Sequence, residues 1–236
     1  YENSENQRFL SDFYEFLILS WNKQLKWHRE VFGSAGVIET VGFIVDLLTG
    51  LHPSRENVIS NHLKRVDDKM EFLAEVTEAN EKFASNILEK IEESGVEVEK
   101  GKLSAAIFDF FKVFIVMYNN LEQTWLISQL ESTKILQSNA GDTIRCLENS
   151  LVKIFEWSAM AVERSRKITQ DCAIVSLIYI LNTFFKSFLE KVKKAQLQLD
   201  ASRSEQQDWN LLQICINFLS LIGSFKLKVD EVEEEI

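Results

Sequence analysis

Apolar residues recur at three- and four-residue spacing along most of the chain, the period of one helix face, so the pattern predicts long helices. From Asp142 onward, Ile144, Leu147, Leu151, Ile154, Phe155, Trp157, Ser158 and Val162 share a side, and Asp142 and Thr143 offer oxygens to cap the start. A second helix from about Asp171 carries Ile174, Leu177, Ile178, Leu181, Phe184, Phe185, Phe188, Leu189 and Val192. Around Ile174–Leu181 it is apolar on nearly every side, which predicts a helix enclosed by neighbours. The stretch from Asp142 to Leu199 thus reads as a back-to-back pair around which the rest of the chain packs.

The first helix should run from about Glu5 to Phe32. Phe9, Phe13, Phe16, Trp27 and Val31 fall together at 100° per residue. Leu10, Tyr14, Leu17, Ile18, Trp21, Leu25 and Phe32 widen the arc to roughly 200°, where one neighbour needs only about 100°. Two neighbouring helices would fill it, or part of it, Trp27 and Phe32, meets another chain. Gly33–Gly36 breaks the helix, a short apolar helix covers Val37–Thr49, and Gly50–Pro53 turns the chain. Ser54 can cap a very long helix over Arg55–Ser94, with Ile59, Leu63, Val66, Met70 and Leu73 as a heptad seam. Thr77 and Asn80 weaken that seam before Ile87 and Ile91 resume it.

Gly95–Gly101 reads as a flexible charged loop, followed by helices over Lys102–Tyr118 and Leu121–Leu136 and by a turn at Asn139–Gly141. Beyond the central pair, Asp200–Gln207 is a polar link in which Ser202 or Ser204 caps the last helix. That helix carries Trp209, Leu212, Ile216, Leu219 and Ile222 and fades into the acidic Asp230–Glu235. The sum is an all-α fold of about seven helices in elongated antiparallel bundles, a rod with sub-bundles at 1–117 and 118–236. A single proline and eight glycines supply too little punctuation for a fold of short strands.

Charge narrows the partners. Thirty-six acidic against 26 basic residues give a net charge of −10, which argues against nucleic acid as the main partner. Basic clusters stand at Arg164, Arg166 and Lys167 and at Lys191, Lys193 and Lys194. Each reads first as solvated surface near a helix end, and otherwise as a patch for anionic lipid or an acidic helix. Cys146, Cys172 and Cys215 lack disulfide or zinc spacing and read as buried, reduced thiols of a cytosolic protein. Ser176, Asn182, Thr183 and Lys186 interrupt the apolar run Ala173–Leu189, which disfavours a membrane span there. No signal peptide or starting Met is visible, and the opening is polar and helix-like, so a fragment of a longer chain is expected.

Candidate chemistry is sparse. Asp67, Asp68 and Glu71 come nearest to a motif, since acids so spaced on a helix can hold Mg²⁺ against a diphosphate, but a facing second cluster is missing. His28, His52 and His62 have no partner at zinc or di-iron spacing, and neither a nucleophile elbow nor a phosphate-cradling glycine loop occurs. The five tryptophans read as core anchors, one or two of them serving an interface. The reading is therefore not an enzyme, with no catalytic residue, metal site or cofactor.

Several collinear stretches carry a likeness beyond helicity. They are Phe13–Phe32 with its Trp21, Gln24, Trp27 and Phe32; Tyr118–Glu122; Leu126–Gln129; Ile154–Ala159; Ala161–Arg164; Thr169–Phe188; and Gln207–Trp209. In that order they resemble the middle of the subunit-seven family of the conserved oligomeric Golgi complex, from Ser11 to about Phe225 and most weakly over Glu93–Val116. The resemblance implies a subunit of a multisubunit vesicle-tethering complex on the cytosolic face of the Golgi membrane, built as stacked helical bundles. It implies binding to other subunits, subunit five first and then six and eight, and support of retrograde intra-Golgi transport and glycosylation. The partner-binding residues expected from the pattern are Trp27, Phe32, Arg164, Arg166, Lys167, Lys191 and Lys194. The alternative is a peripheral membrane-surface module that uses the basic clusters and the phenylalanine-rich helices.

Overall fold

A computed structural model describes residues 9–201 and 209–235. Among these residues it holds α1 (Phe9–Phe32), a 3₁₀ turn (Gly33–Ala35), α2 (Gly36–Thr49), α3 (Arg55–Leu63), α4 (Lys69–Glu93) and α5 (Lys100–Phe108). A second 3₁₀ turn (Asp109–Phe111), α6 (Lys112–Ser132), α7 (Ala140–Thr169), α8 (Ile174–Ala201) and α9 (Trp209–Glu235) follow. Each 3₁₀ turn follows its flanking helices without a gap, so the described residues fall into seven helical segments, two of them bent at a 3₁₀ turn, and the fold is all-α. The expected start at Glu5 and the caps Ser202 and Ser204 lie outside the described residues. Two compact units divide the chain, Tyr1–Met117 and Tyr118–Ile236.

In the first unit α1 packs on α2 and α4, α2 on α5, and α5 on α4. The buried face of α1 is Leu10, Tyr14, Leu17, Trp21 and His28, whereas Phe16, Trp27, Val31 and Phe32 are exposed. Of the centre of the predicted stripe, Phe16, Trp27 and Val31 therefore lie outside and Phe9 and Phe13 are half-buried, while its flank is the core. Periodicity gives the direction of an apolar arc, but α2 and α4 decide which part of it is covered.

Gly36 sits where the backbone leaves α1. A Cβ there would stand 2.7–2.9 Å from the backbone of His28 and Arg29, too close for any other residue without movement. Four residues on, the Thr40 hydroxyl donates to the Gly36 carbonyl at 2.7 Å and lies 2.9 Å from His28 Nδ1. With its own proton so committed, the hydroxyl accepts from the imidazole, which satisfies a buried histidine.

The single helix expected over Arg55–Ser94 is two helices. Ser54 caps α3 by accepting from Asn57 N, but Asp68 accepts from the amides of Met70 and Glu71 at 3.1 and 2.9 Å and starts α4 afresh. A local cap outcompetes continuation of the heptad seam. Thr77 and Asn80 remain on the core side, with their polar atoms taken by Leu73 O and by the Tyr14 hydroxyl.

Arg55 ties the first unit together. It is buried, its Nη1 donates to the Tyr14 hydroxyl at 2.9 Å and to Ile107 O at 3.3 Å, and its Nη2 donates to Ala106 O. Those carbonyls close the last turn of α5, whose dipole presents partial negative charge. The Phe110 ring lies 4.2 Å from the guanidinium carbon. The break expected near Tyr118–Leu121 falls instead at Asp109–Phe111, the turn that carries Phe110, and α6 continues unbroken through Tyr118.

In the second unit α8 and α9 both pack on α7. Asn139, rather than Asp142 or Thr143, caps α7, its Oδ1 accepting from Asp142 N at 2.8 Å; Thr143 is buried and donates to Asn139 O. Gln170 (φ 49°) and Asp171 (φ 62°) reverse the chain in left-handed conformations. Phe225 meets Phe155, Phe185 and Phe188 at 5.3–5.8 Å between ring centroids, joining all three helices.

Three further expectations fail in this unit. Val175, Ile178 and Tyr179 are exposed, so the start of α8 is not enclosed. On α9 the predicted face of Trp209, Leu212, Ile216, Leu219 and Ile222 points outward, while Phe218, Leu221, Phe225 and Val232 are buried. Apolar residues cover roughly 240° of α9 when plotted at 100° per residue, so periodicity alone cannot choose the inner face. Cys172 is likewise exposed, not buried, because it stands in the α7–α8 turn.

Gly36→Ala should lower the melting temperature by several degrees through the clash with α1. Gly42→Ala, in α2 with open space at its Cβ, should instead raise stability by about 0.5–1 kcal/mol. Thermal denaturation of the two variants beside the parent checks this opposition.

Candidate interaction surfaces

Among the described residues no three His, Cys, Asp or Glu side chains converge in a way that could hold a metal ion. The acidic residues nearest to a motif have a structural use, since Asp68 caps α4. His62 lies between the rings of Phe9 and Phe72, at 6.0 and 4.8 Å. The arrangement offers packing and caps.

The second unit does bury charge. Glu122 is fully buried and takes two bonds from Arg164, one to Oε2 from Nε at 2.9 Å and one to Oε1 from Nη2. This bidentate fork joins α6 to α7. The Tyr118 hydroxyl donates to Glu122 Oε2 at 3.0 Å and lies 3.5 Å from Ala161 O, while the Trp125 ring sits 4.3 Å from the guanidinium carbon of Arg164. Burial first, and the neighbouring Glu122 carboxylate second, push the Tyr118 phenol far above its ordinary value. Burial also raises the Tyr14 phenol, against the pull of Arg55. Two segments on which the family resemblance rests, Tyr118–Glu122 and Ala161–Arg164, thus meet in one network.

Of the residues expected to bind partners, Trp27 and Phe32 come together. Their rings meet edge to face at 6.5 Å, both are about half exposed, and Val31 beside them is exposed as well. His28 beneath anchors the pair, with its ring 5.1 Å from Trp27 and 6.0 Å from Phe32. Arg164 is the exception among the basic residues, because its charge is engaged with Glu122 inside the fold. Arg166 approaches Asp171 at 4.0 Å, and Arg166 and Lys167 lie on the surface at the end of α7. Lys191 is half-buried and Lys194 exposed, in the second half of α8. Seventeen residues of α8 separate Lys191 from its start at Ile174, roughly 26 Å at 1.5 Å per residue. The two basic clusters therefore do not form one patch.

Sequence reasoning missed the Glu122–Arg164 pair and the outward apolar face of α9. The first had a signal in Glu122, which stands four residues from both Tyr118 and Leu126 and so falls on the apolar face of its helix. The second had none, since both faces of α9 are apolar. By length and composition alone Phe9–Thr49 and Trp209–Glu234 are long and apolar enough to cross a membrane, but each contributes buried residues to the core of its unit.

The family model described as Golgi complex component 7 (COG7) matches residues 2–236. Conserved oligomeric Golgi complex subunit 7 of Drosophila melanogaster is 30% identical over 241 residues, covering 98% of this chain and 32% of that protein. The subunits of the same description from Homo sapiens and Bos taurus are each 23% identical, covering 97% of this chain and 31% of those proteins. The chain thus spans about a third of the length of the curated relatives it matches. No solved structure matches it.

Glu122→Ala leaves the partly buried Arg164 guanidinium without its carboxylate and should cost about 2–3 kcal/mol in denaturant unfolding. A second check uses pH. Because the Tyr14 and Tyr118 phenols are raised in the fold, folding holds them neutral. Their contribution is complete below the unfolded tyrosine value near 10 and is lost as pH climbs above it. Ultraviolet titration should therefore show late-ionising phenols that appear together with alkaline unfolding. Tyr118→Phe should remove part of that late step.

Proposed function

The chain belongs to the Golgi complex component 7 family, and we propose that it serves as a non-enzymatic helical scaffold in a vesicle-tethering assembly on the cytosolic face of the Golgi. The observation that carries this reading is the division of labour among its side chains. Buried polar groups such as Arg55, Glu122 and Asn80 hold helices to one another, while aromatic and aliphatic side chains such as Trp27, Val31 and Phe32 stand uncovered on the surface. Such a molecule works by presenting rigid helix faces to partners, and exposed aromatic groups are the usual anchors of protein interfaces.

The partners of the reading are the other subunits of the complex, subunit five first and then six and eight. The cellular role is retrograde intra-Golgi vesicle transport and, through it, protein glycosylation. Arg166, Lys167, Lys191 and Lys194 are assigned a lesser part at the rim of such contacts, where charges tune association more than affinity.

Size-exclusion chromatography with light scattering, on the chain alone and then with subunit five, tests the proposal. The expected result is a one-to-one complex that Trp27→Glu or Phe32→Glu weakens about tenfold or more, with thermal stability unchanged. A chain that stays monomeric beside subunits five, six and eight, yet floats with phosphatidylserine vesicles, would replace the scaffold with a membrane-surface module.

A further inference from the structure

Helices α8 and α9 each pack on α7, and their facing flanks leave a groove of about 570 Å³. One wall is a ridge on α8 formed by Ile174, Ile178, Leu181, Phe185 and Leu189. These recur at helical spacing over about 22 Å. Phe225, Val229 and Val232 of α9 form the other wall. Apolar surface does not stop at the edges of the groove. Val175 and Tyr179 extend it on α8, and Leu219 and Ile222 are exposed on α9. The latter two lie within Trp209–Phe225, a run that contains no charged residue.

The width of that surface decides the occupant. A single acyl chain would fill the groove and leave both shoulders in water. A helix seats its side chains between two others and covers the shoulders too. The charges at the groove are opposite in sign and on opposite walls, Lys186 on α8 and Glu233 on α9. Neither has an ion-pair partner among the described residues.

We propose that this groove seats an amphipathic helix of a partner chain, about four turns long, whose apolar seam is flanked by an acid facing Lys186 and a base facing Glu233. The proposal rests on the scaffold reading for the existence of a partner and adds the chemistry by which the partner is recognised.

The test uses the full chain and a labelled synthetic helical peptide of about 18 residues. The peptide has leucine at heptad positions a and d, glutamate on one flank and arginine on the other. Fluorescence anisotropy should show saturable binding that Ile178→Glu weakens about tenfold or more. The double variant Lys186→Glu/Glu233→Lys should bind this peptide about threefold more weakly and prefer a peptide with the flanking charges exchanged. Circular dichroism of each variant should match that of the parent, so that lost folding does not imitate lost binding.

Absence of binding, or binding that ignores both changes, overturns the proposal. So does a concentration-dependent dimer that Ile178→Glu abolishes, which would make a second copy the occupant. Palmitate binding lost on Ile178→Glu, without peptide binding, would make the occupant an acyl chain. If the chain binds subunit five but not the peptide, the groove assignment fails and the scaffold stands. If it binds the peptide with the exchanged preference yet ignores subunits five, six and eight, the groove stands and those partners fail.

Discussion

A helix can hide only as much of its surface as its neighbours cover, and several helices here carry more apolar surface than their neighbours reach. On α1 the predicted apolar arc is roughly twice what one contact needs, and on α9 it is wider still. The core takes Leu10, Tyr14, Leu17 and Trp21 from the first and Phe218, Leu221 and Phe225 from the second. The remainder faces water: Phe16, Trp27, Val31 and Phe32 in the first unit, Trp209, Leu212, Ile216 and Leu219 in the second. Each unit thus combines a packed interior with uncovered apolar side chains on its surface.

Apolar packing alone would let such helices slide or rotate at small cost, because one Leu or Phe substitutes readily for another. Buried polar groups remove that freedom. Arg55 has fixed acceptors on α1 and at the end of α5, so α3 cannot shift along them without stranding a charge. The Glu122 carboxylate and the Arg164 guanidinium do the same for α6 and α7 through two bonds of fixed geometry. Both networks also contain a tyrosine: the Tyr14 hydroxyl joins Arg55 to Asn80 of α4, and the Tyr118 hydroxyl donates to the Glu122 carboxylate within α6.

These features fit membership of a family whose relatives carry the description of a Golgi complex subunit. At 30% and 23% identity, much of the surface can differ while the helix pattern persists. The groove between α8 and α9 and the Trp27–Phe32 patch belong to different units, so one chain offers two surfaces that can be tested separately.

How much was legible in the sequence follows from what each signal measures. The helical class, the α7–α8 pair with Ile144, Leu147, Leu151 and Ile154 inside, and the Ser54 cap were determined by local chemistry, namely side-chain period and hydrogen bonds within one turn. Trp27 and Phe32 could be named in advance as an excess of apolar arc. Which side of α9 turned inward could not, because Trp209, Leu212 and Ile216 satisfy the helical period as well as Phe218, Leu221 and Phe225 do. The end of the heptad seam at Asp68 depended on a cap competing with continued helix, two local preferences of similar size. Arg164 reads as one more surface cation until α6 places Glu122 against it. Period and capping act over a few residues and the sequence by itself determines them. The choice among equivalent faces, and the pairing of residues 42 apart, depends on which neighbours arrive, and only the tertiary structure decided it.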